Sequence, residues 1–496
     1  MTSQSASKPL PVGTKLAYGV GQIAEGVLNS TLELTLLFYY TQILGLSGSL
    51  VGLAIFIALL FDAVTDPLVG MLSDNWRSKW GRRHPFMYAS VIPLVLTFTL
   101  LYIPPGGLGE WALFGWLLVF SVLARFAMTL YFVPHTAQGA ELSDDYVERT
   151  SIVAWRTIFG AFGAVATITI IFAVFMNNGE GDGQLQLDPS VYPPMAVTLG
   201  LILGLSVLVS ALGTHSQIWR LKQPTGAKPS LGLPALASQF RDVAGNPNFR
   251  FAVGGMTLFF IMAGTHKALG LHMNTYFWEL SGDDITFLLY AAVVGGVFGT
   301  PFTPLLTRKF EKKQIFVFGA LSVVVLQVIP PMARLAGMFP DNGDPMVVTI
   351  LAVSTFLMGL VGMPAAVVAS ALLADLCDEH EFLTRRRQEG AFFGGIAFSA
   401  KAAAGGGTLI GGIALDLIDF PANAVAGAVG SAPLTGLAIT IAPVAAVFGI
   451  VSAVFYLRIT LDRKKLSEVQ SELAERRAAE LKLAEPGEAT LLIGAE

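Results

Sequence analysis

Residues 48–74 read GSLVGLAIFIALLFDAVTDPLVGMLSD, an apolar run that contains two acids, Asp62 and Asp66. A helix of about 20 mostly apolar residues crosses the hydrocarbon core of a bilayer, so this run predicts a membrane span. A charged side chain inside a span is costly, and such side chains usually face a cavity where they bind something. The run therefore indicates both the class of the protein and where its function should be sought.

The rest of the chain has the same character. Hydrophobic residues make up 53% of the 496 positions and charged residues 13%, whereas a soluble protein carries about 25% charged residues. A soluble fold is excluded, and we expect an all-α polytopic membrane protein with twelve transmembrane helices in two pseudo-symmetric six-helix bundles. The predicted spans are 15–44, 48–74, 84–104, 110–139, 150–177, 193–214, 248–278, 284–307, 314–338, 346–374, 390–416 and 433–460.

A long polar segment separates six spans from six. We predict an N-terminal bundle with the cation site at 1–214, a cytoplasmic linker at 215–247, a C-terminal bundle at 248–461 and a charged cytoplasmic tail at 462–496. The tail alternates charge signs without a long apolar stripe, which favours a solvated helix; a partner-binding helix is the alternative.

The basic residues predict the orientation. Lys and Arg collect in cytoplasmic loops, and with the N-terminus inside, 26 of the 31 basic residues fall on the cytoplasmic side. Arg334 falls outside, and the remaining four lie within spans. We therefore expect a multi-pass protein of the plasma or inner membrane with both termini in the cytoplasm.

The second span predicts a cation site. Asp62 and Asp66 are four residues apart and share a helical face, with Thr65 beside them. Pro67 has no N–H and leaves the carbonyl of Ala63 free nearby. Two carboxylates, a hydroxyl and a carbonyl form a hard, oxygen-rich site suited to Na⁺ or a proton. If the protein is sodium-coupled, Asp62 and Asp66 are the metal ligands. The alternative is a pair of acids neutralised by buried Lys or Arg.

Helical rise places two further polar residues at a similar depth. At about 1.5 Å per residue, Asp66, Thr129, Lys401 and Asp62 lie roughly 12 to 18 Å from the cytoplasmic ends of their spans. Lys401 needs an acid at that depth, and Asp62 and Asp66 are its candidates. We predict that Lys401 holds the geometry of the acids when no cation is bound.

The first span predicts one wall of a cavity. Gln22, Glu25, Asn29 and Glu33 are spaced by three or four residues and share one face; a hydrogen-bonded seam between helices is the alternative. Positive charge in the same interior comes from Arg125, Arg156 and Lys267. Sugar hydroxyls donate to acids and accept from arginine, and aromatic side chains such as Phe132 cover the apolar face of a sugar ring.

Several motifs resemble a known family. They are Lys15-Leu16-Ala17-Tyr18-Gly19, Asp62-Ala63-Val64-Thr65-Asp66-Pro67, Ser73-Asp74, Trp80-Gly81-Arg82-Arg83-His84-Pro85, Val133-Pro134-His135, Glu148-Arg149-Thr150, Ala374-Asp375 and Lys401. They resemble the glycoside–pentoside–hexuronide:cation symporters of the major facilitator superfamily, melibiose carriers among them.

This resemblance implies alternating access to a central cavity and a cation site at Asp62, Thr65, Asp66 and Thr129, with Lys401 close by. For the sugar it points to the first and fourth spans and Arg156. Compared with melibiose carriers, Gly26 replaces an acid, Phe132 a second sugar-binding Asp, and Thr136 a Trp. The cation half of the site is retained and the sugar half differs.

We therefore expect a secondary active transporter that couples uptake of a sugar or glycoside, a hexuronide included, to Na⁺ or H⁺. The alternative solute is an amphipathic, lysolipid-like or other organic anion. An enzyme is not expected, because the chain lacks a nucleotide-binding Gly-rich loop, a nucleophile motif and metal-ligand spacing among its six His. We expect no catalytic residues, no cofactor besides the coupling ion and no nucleic-acid partner. The partners expected are the solute, the cation and the bilayer, with a monomer as the functional unit.

Overall fold

The computed structural model describes residues 10–143, 145–177, 184–221, 242–385 and 389–484, and within these ranges the chain is helical with no strand. The helices are α1 (Val12–Val20 and Gln22–Thr31, continued by π-helical Leu32–Leu36 and Tyr39–Ile43), α2 (Gly48–Asn75), α3 (His84–Leu101), α4 (Glu110–Glu141), α5 (Tyr146–Ile168, continued by Thr169–Phe175), α6 (Tyr192–His215), α7 (Pro247–His272, continued by Met273–Phe277), α8 (Gly282–Gly299 and Thr303–Lys309), α9 (Lys312–Leu335), α10 (Pro345–Thr384), α11 (Glu389–Leu417), α12 (Ser431–Ile439 and Ala445–Leu457) and α13 (Arg463–Ala484).

Ten of the described helices are long and apolar enough to cross a membrane. The other two predicted spans are α1 and α7, which are helical where the sequence predicts them. Both carry charged side chains within the span, among them Glu25 and Glu33 on α1 and Lys267 on α7. The two least apolar spans are therefore two of the helices that face the interior between the bundles.

Local signals account for where the helices begin. The side chains of Ser47, Asn246, Ser281 and Asp344 accept hydrogen bonds from the first backbone N–H groups of α2, α7, α8 and α10, which those groups cannot obtain within the helix. The largest difference from prediction is α10, which continues ten residues past the predicted 374 to Thr384. Hydropathy marks where a span leaves the membrane, whereas a helix stops only at a breaking signal, here the left-handed backbone of Arg385.

The two six-helix halves repeat one arrangement at the end where the basic connections lie, which we call the basic end. In the N-terminal half, Arg83 joins Asp74 at 2.5 Å to Glu141 of α4 at 2.8 Å. In the C-terminal half, Lys312 at the start of α9 pairs with Asp375 of α10 at 2.5 Å. In each half a basic residue between the second and third helices is thus tied to the fourth, as pseudo-symmetry requires. The domain bounds themselves stay a prediction.

The halves meet at the opposite end, which we call the acidic end. Thr41 of α1 lies 3.0 Å from His272 of α7, and Tyr276 donates to Gln42 at 2.9 Å. Asp416 of α11 accepts from the backbone N–H groups of Gly48 and Ser49, at 2.7 and 2.8 Å, and so caps α2 from the other half. A carboxylate at a helix N-terminus also interacts favourably with the helix dipole.

Small residues allow α2 and α11 to pack closely. A side chain at Gly48, Gly52 or Gly412 would collide with the backbone of the facing helix. On the other side of the molecule, α5 and α8 approach at the acidic end, where Gly282 lies against the carbonyl of Met176. The contacts between the halves thus concentrate at the acidic end and along α2 and α11.

The tail helix α13 lies against its own bundle. Gln470 donates to Asp378 of α10 at 3.1 Å, and the guanidinium of Arg476 stacks on Phe382 at 4.9 Å. Val469 and Leu473 are buried. The tail is therefore not solvated on all sides, because its few apolar residues pack against α10, which extends beyond the predicted span.

Closure of the acidic end should depend on Asp416. The distribution of Lys and Arg predicts that the acidic end faces outside, and Thr408 of α11 lines the space between the halves. In a Cys377→Ser background with a reporter cysteine at Thr408, Asp416→Ala should then increase labelling by a membrane-impermeant maleimide added to intact cells. The reason is that both capping bonds to α2 are lost. Asp341→Ala, at an exposed acid of the same end, is the control and should leave labelling unchanged. Equal labelling in both variants would show that Asp416 does not hold the halves together.

Candidate functional site

A central cavity of about 320 Å³ lies between the halves and is lined by α1, α2, α4, α7 and α11. Predicted site residues on its wall are Glu25, Asn29, Glu33, Asp62, Asp66, Arg125, Thr129, Phe132, Lys267 and Lys401. The structure thus brings together residues from five separate spans. Gln22, Thr65 and Arg156 are not part of the wall.

Asp62 and Asp66 form the centre of a polar cluster at the wall. Lys401 of α11 lies 2.8 Å from Asp62 Oδ2 and 2.5 Å from Asp66 Oδ2. On the opposite oxygens, the Thr129 hydroxyl of α4 is 2.7 Å from Asp62 Oδ1 and 3.0 Å from Asp66 Oδ1. Because a hydroxyl has one proton, it donates to one carboxylate at a time. The ammonium and the hydroxyl thus hold the two acids together from opposite sides.

Arg125 adds a second positive charge to this cluster. Its guanidinium lies 3.7 Å from Asp62 Oδ2 and its side chain is buried. With Lys401 and Arg125 the two carboxylates are compensated without any further ion, which matters because unpaired charges in a low-dielectric interior are very costly. The Asp66 side chain is 28% exposed and that of Asp62 10%. Since Asp66 is closer to the basic end, access to the pair increases toward that end.

Thr65 takes a different position from the one predicted. Its hydroxyl donates to the backbone carbonyl of Asp62 within α2, at 3.2 Å. Adjacent residues of a helix are separated by about 100°, so a neighbour of Asp66 does not share its direction. Thr129 of α4, a helix that packs directly against α2, supplies the hydroxyl at the acids instead.

The polar line of α1 divides between two roles. Gln22 donates to Glu25 and packs against Gly160 of α5, so the alternative of a helix–helix seam applies to this residue. Asn29 also donates to Glu25, at 3.4 Å. Glu33 forms a salt bridge of 2.7 Å with Lys267 of the other half, and both side chains are open to the cavity. Three of the four predicted residues therefore line the cavity.

Arg156 is not among the residues that line the cavity. Its guanidinium interacts with the hydroxyl of Tyr18 and lies within electrostatic reach of Glu25. Tyr18 in turn stacks on the buried His135, with ring centroids 4.3 Å apart. The predicted role of Arg156 in binding the solute stays a prediction.

Apart from Phe132, the apolar part of the wall was not predicted. It includes Leu28, Ile55, Met128 and Phe260. An apolar residue in a membrane span carries no mark that separates a cavity wall from packing or lipid contact, so only the assembled bundle identifies these positions.

A family model described as MFS/sugar transport protein matches residues 17–463. The inner membrane symporter YicJ of Escherichia coli is 26% identical over 415 residues, which cover 82% of this chain and 83% of the relative. The putative glycoside/cation symporter YagG of the same organism is 25% identical, with 84% and 85% covered. An uncharacterized symporter of Synechocystis sp. is 28% identical, but the match covers 60% of this chain and 51% of that protein.

Solved structures support the same fold. The nucleoside transporter NupG superposes with a TM-score of 0.58 at 15% identity, covering 90% of this chain and 98% of that one. A bacterial homologue of the lysosomal transporter Spinster superposes with a TM-score of 0.59 at 14% identity, with 90% and 95% covered. At this identity the likeness concerns the fold alone, and it confirms the predicted major facilitator fold.

The two threonines provide a test of the cation site. Thr129→Val should weaken cation binding about tenfold, because a hydrogen bond to a charged group contributes about 1.5 kcal/mol or more. Thr65→Val is the matched control and should change binding less than about twofold, since its hydroxyl bonds its own helix. Both are measured by cation titration of the purified protein. Loss of binding in Thr65→Val alone would contradict the geometry.

Lys401 provides a second test. In Lys401→Gln, a saturating cation should raise the melting temperature more than it does in the parent protein. Without the ammonium the two carboxylates repel each other, and a bound cation then replaces a missing charge. The measurement is a thermal-shift assay in Na⁺ and in choline, repeated across pH to detect protons. If the cation no longer stabilises Lys401→Gln at all, the lysine is part of the cation site and does not compete with the cation.

Proposed function

Because the chain belongs to the MFS/sugar transport protein family and is therefore a secondary transporter, we propose that it couples transport of a neutral glycoside to Na⁺ or H⁺. The observation that supports this most is the pair of acids of one half bridged by Lys401 of the other. A cation at this pair must compete with Lys401 of the opposite half. Cation binding is therefore linked to how tightly the two halves are held together.

The coupling step follows from that competition. When Na⁺ occupies the carboxylates, or a proton neutralises Asp66, Lys401 loses part of its attraction to α2. The ammonium can then hydrogen-bond to the solute, or α11 can move relative to α2. A ligand shifts a conformational equilibrium only through a difference in its affinity for the two states, and displacement of Lys401 supplies such a difference.

The pairing of charges in the cavity favours a neutral solute. Each of the three bases on the wall already has a carboxylate partner: Arg125 and Lys401 pair with Asp62, and Lys267 with Glu33. An anionic solute would have to displace one of these carboxylates, whereas a neutral sugar can donate hydroxyl hydrogen bonds to Glu25 and Glu33. A hexuronide or lysolipid-like anion is therefore the less supported alternative.

The solute path runs from the basic end in the conformation described. The contacts at the acidic end close the cavity there, and the exposure of Asp66 indicates access from the other side. With the basic end in the cytoplasm, as its Lys and Arg favour, this is an inward-facing state with both termini inside. Alternating access then requires separation of the Asp416 cap and closure of the basic end.

The acids provide the test of coupling. Asp62→Asn and Asp66→Asn should each abolish accumulation of the solute against its gradient in membrane vesicles, because the cation loses one of its two carboxylates. Asp283→Asn, an exposed acid at the acidic end, is the control and should accumulate solute normally. Gradient-driven accumulation at the parental rate in both site variants would rule out this cation site.

The solute class is tested separately. A thermal-shift screen of the purified protein against neutral glycosides, hexuronides and lysolipids, with and without Na⁺, measures binding as a gain in apparent stability. We expect neutral glycosides to stabilise the protein more than the hexuronides of the same configuration. The reverse order would show that an anion displaces a carboxylate of the cavity.

A further inference from the structure

A second and larger cavity adjoins the first. Its volume is about 710 Å³, and we call it the apolar chamber because its walls are mainly apolar side chains of α5, α7, α8, α9 and α10, such as Val165, Leu289 and Met358. The chamber is open on one side, where its lining residues Val297 and Met363 are exposed. A chamber of this size falls in the range of ligand pockets, about 300 to 1,000 Å³.

The chamber joins the central cavity at two neighbouring helices. Lys267 of α7 lines both spaces, and on α1 Glu33 lines the central cavity while the next residue, Leu34, lines the chamber. The salt bridge between Glu33 and Lys267 therefore stands at the boundary between a polar space and an apolar one. A molecule that spans this boundary needs a polar part on one side and an apolar part on the other.

The chamber walls come from both halves of the protein. Ala161 and Ala164 belong to α5 of the first half, and Gly296 and Gly359 to α8 and α10 of the second. When the two halves move relative to each other during transport, the shape of this chamber must change as well. A ligand held by both halves would therefore bind the states of the transport cycle with different affinities, as a transported solute must.

The two volumes suggest a division of the solute. The central cavity, about 320 Å³, is at the lower end of the ligand-pocket range. Its wall carries Glu25, Glu33 and the amide of Asn29, which are groups that can hydrogen-bond sugar hydroxyls. We propose that it takes the sugar of a glycoside and that the apolar chamber takes an apolar aglycone attached to that sugar. This inference rests on the proposed function. A lysolipid joins a polar head to an apolar group in the same way, and the test includes it as the other source.

Two glycines allow a matched test. Gly270 lines the chamber and Gly406 of α11 lines neither cavity, yet a side chain added at either position would meet open space. Gly270→Leu therefore fills part of the chamber, and Gly406→Leu controls for the same change in a membrane helix. Gly362→Leu is a second chamber-filling variant, since its added carbon makes only an ordinary contact with Val323.

The experiment measures binding of methyl and phenyl glycosides of the same sugars, and of a lysophospholipid, to protein in nanodiscs. In the parent protein the phenyl glycoside should bind on the order of tenfold tighter than its methyl partner, because burying the ring removes apolar surface from water. Gly270→Leu and Gly362→Leu should remove this preference while leaving the methyl glycoside within about twofold. Gly406→Leu should keep the preference.

The outcomes separate this inference from the proposed function. If methyl and phenyl glycosides bind equally, or the preference survives both chamber-filling variants, the chamber does not take the aglycone although glycoside transport stands. If no glycoside binds but the lysophospholipid does, and Gly270→Leu weakens it, the chamber takes an apolar group and the glycoside function is wrong. If neither class of ligand binds, both proposals fail.

Discussion

The structure depends on Lys401, which forms ion pairs with two acids of the opposite half. Asp62 and Asp66 carry two negative charges within the membrane, where an isolated charge is very unfavourable, and Lys401 reaches both from the other half at 2.8 and 2.5 Å. While Lys401 is paired with the two carboxylates, α2 and α11 are held close together. The glycines along the two helices permit that close approach. The same ion pairs therefore form the candidate cation site and connect the two bundles.

The rest of the cavity follows the same pattern of compensation. Glu33 is balanced by Lys267, and Asp62 also by Arg125. Glu25 instead receives hydrogen bonds from the amides of Gln22 and Asn29. Among the charged groups on the wall, Glu25 is thus the one whose described hydrogen bonds are to amides. In such a cavity, a neutral ligand with hydroxyl groups can bind without breaking these ion pairs, whereas a charged ligand cannot. A cation competes most directly with Lys401.

Sequence reasoning identified the spans to within a few residues in nearly every case, because a membrane span is marked by composition alone. It also identified Asp62, Asp66, Thr129 and Lys401 as one cluster, since helical rise converts position along a span into depth. It was less successful in identifying the direction in which each side chain points around its helix axis. Thr65 was placed at the acids although its hydroxyl bonds its own backbone. Arg156 is not among the residues that line the cavity, and its role at the solute stays a prediction.

What the sequence by itself determined is the class of protein, the number and depth of the spans and the identity of the costly charges, because each of these depends on transfer of local groups into hydrocarbon. Only the tertiary structure decided which charges pair, that Asp416 of α11 caps α2 at the acidic end, and that an apolar chamber adjoins the polar cavity at Lys267. These features arise between helices distant in sequence. An apolar residue looks the same in one chain whether it meets lipid, another helix or an open space, so such spaces exist only once the bundle is assembled.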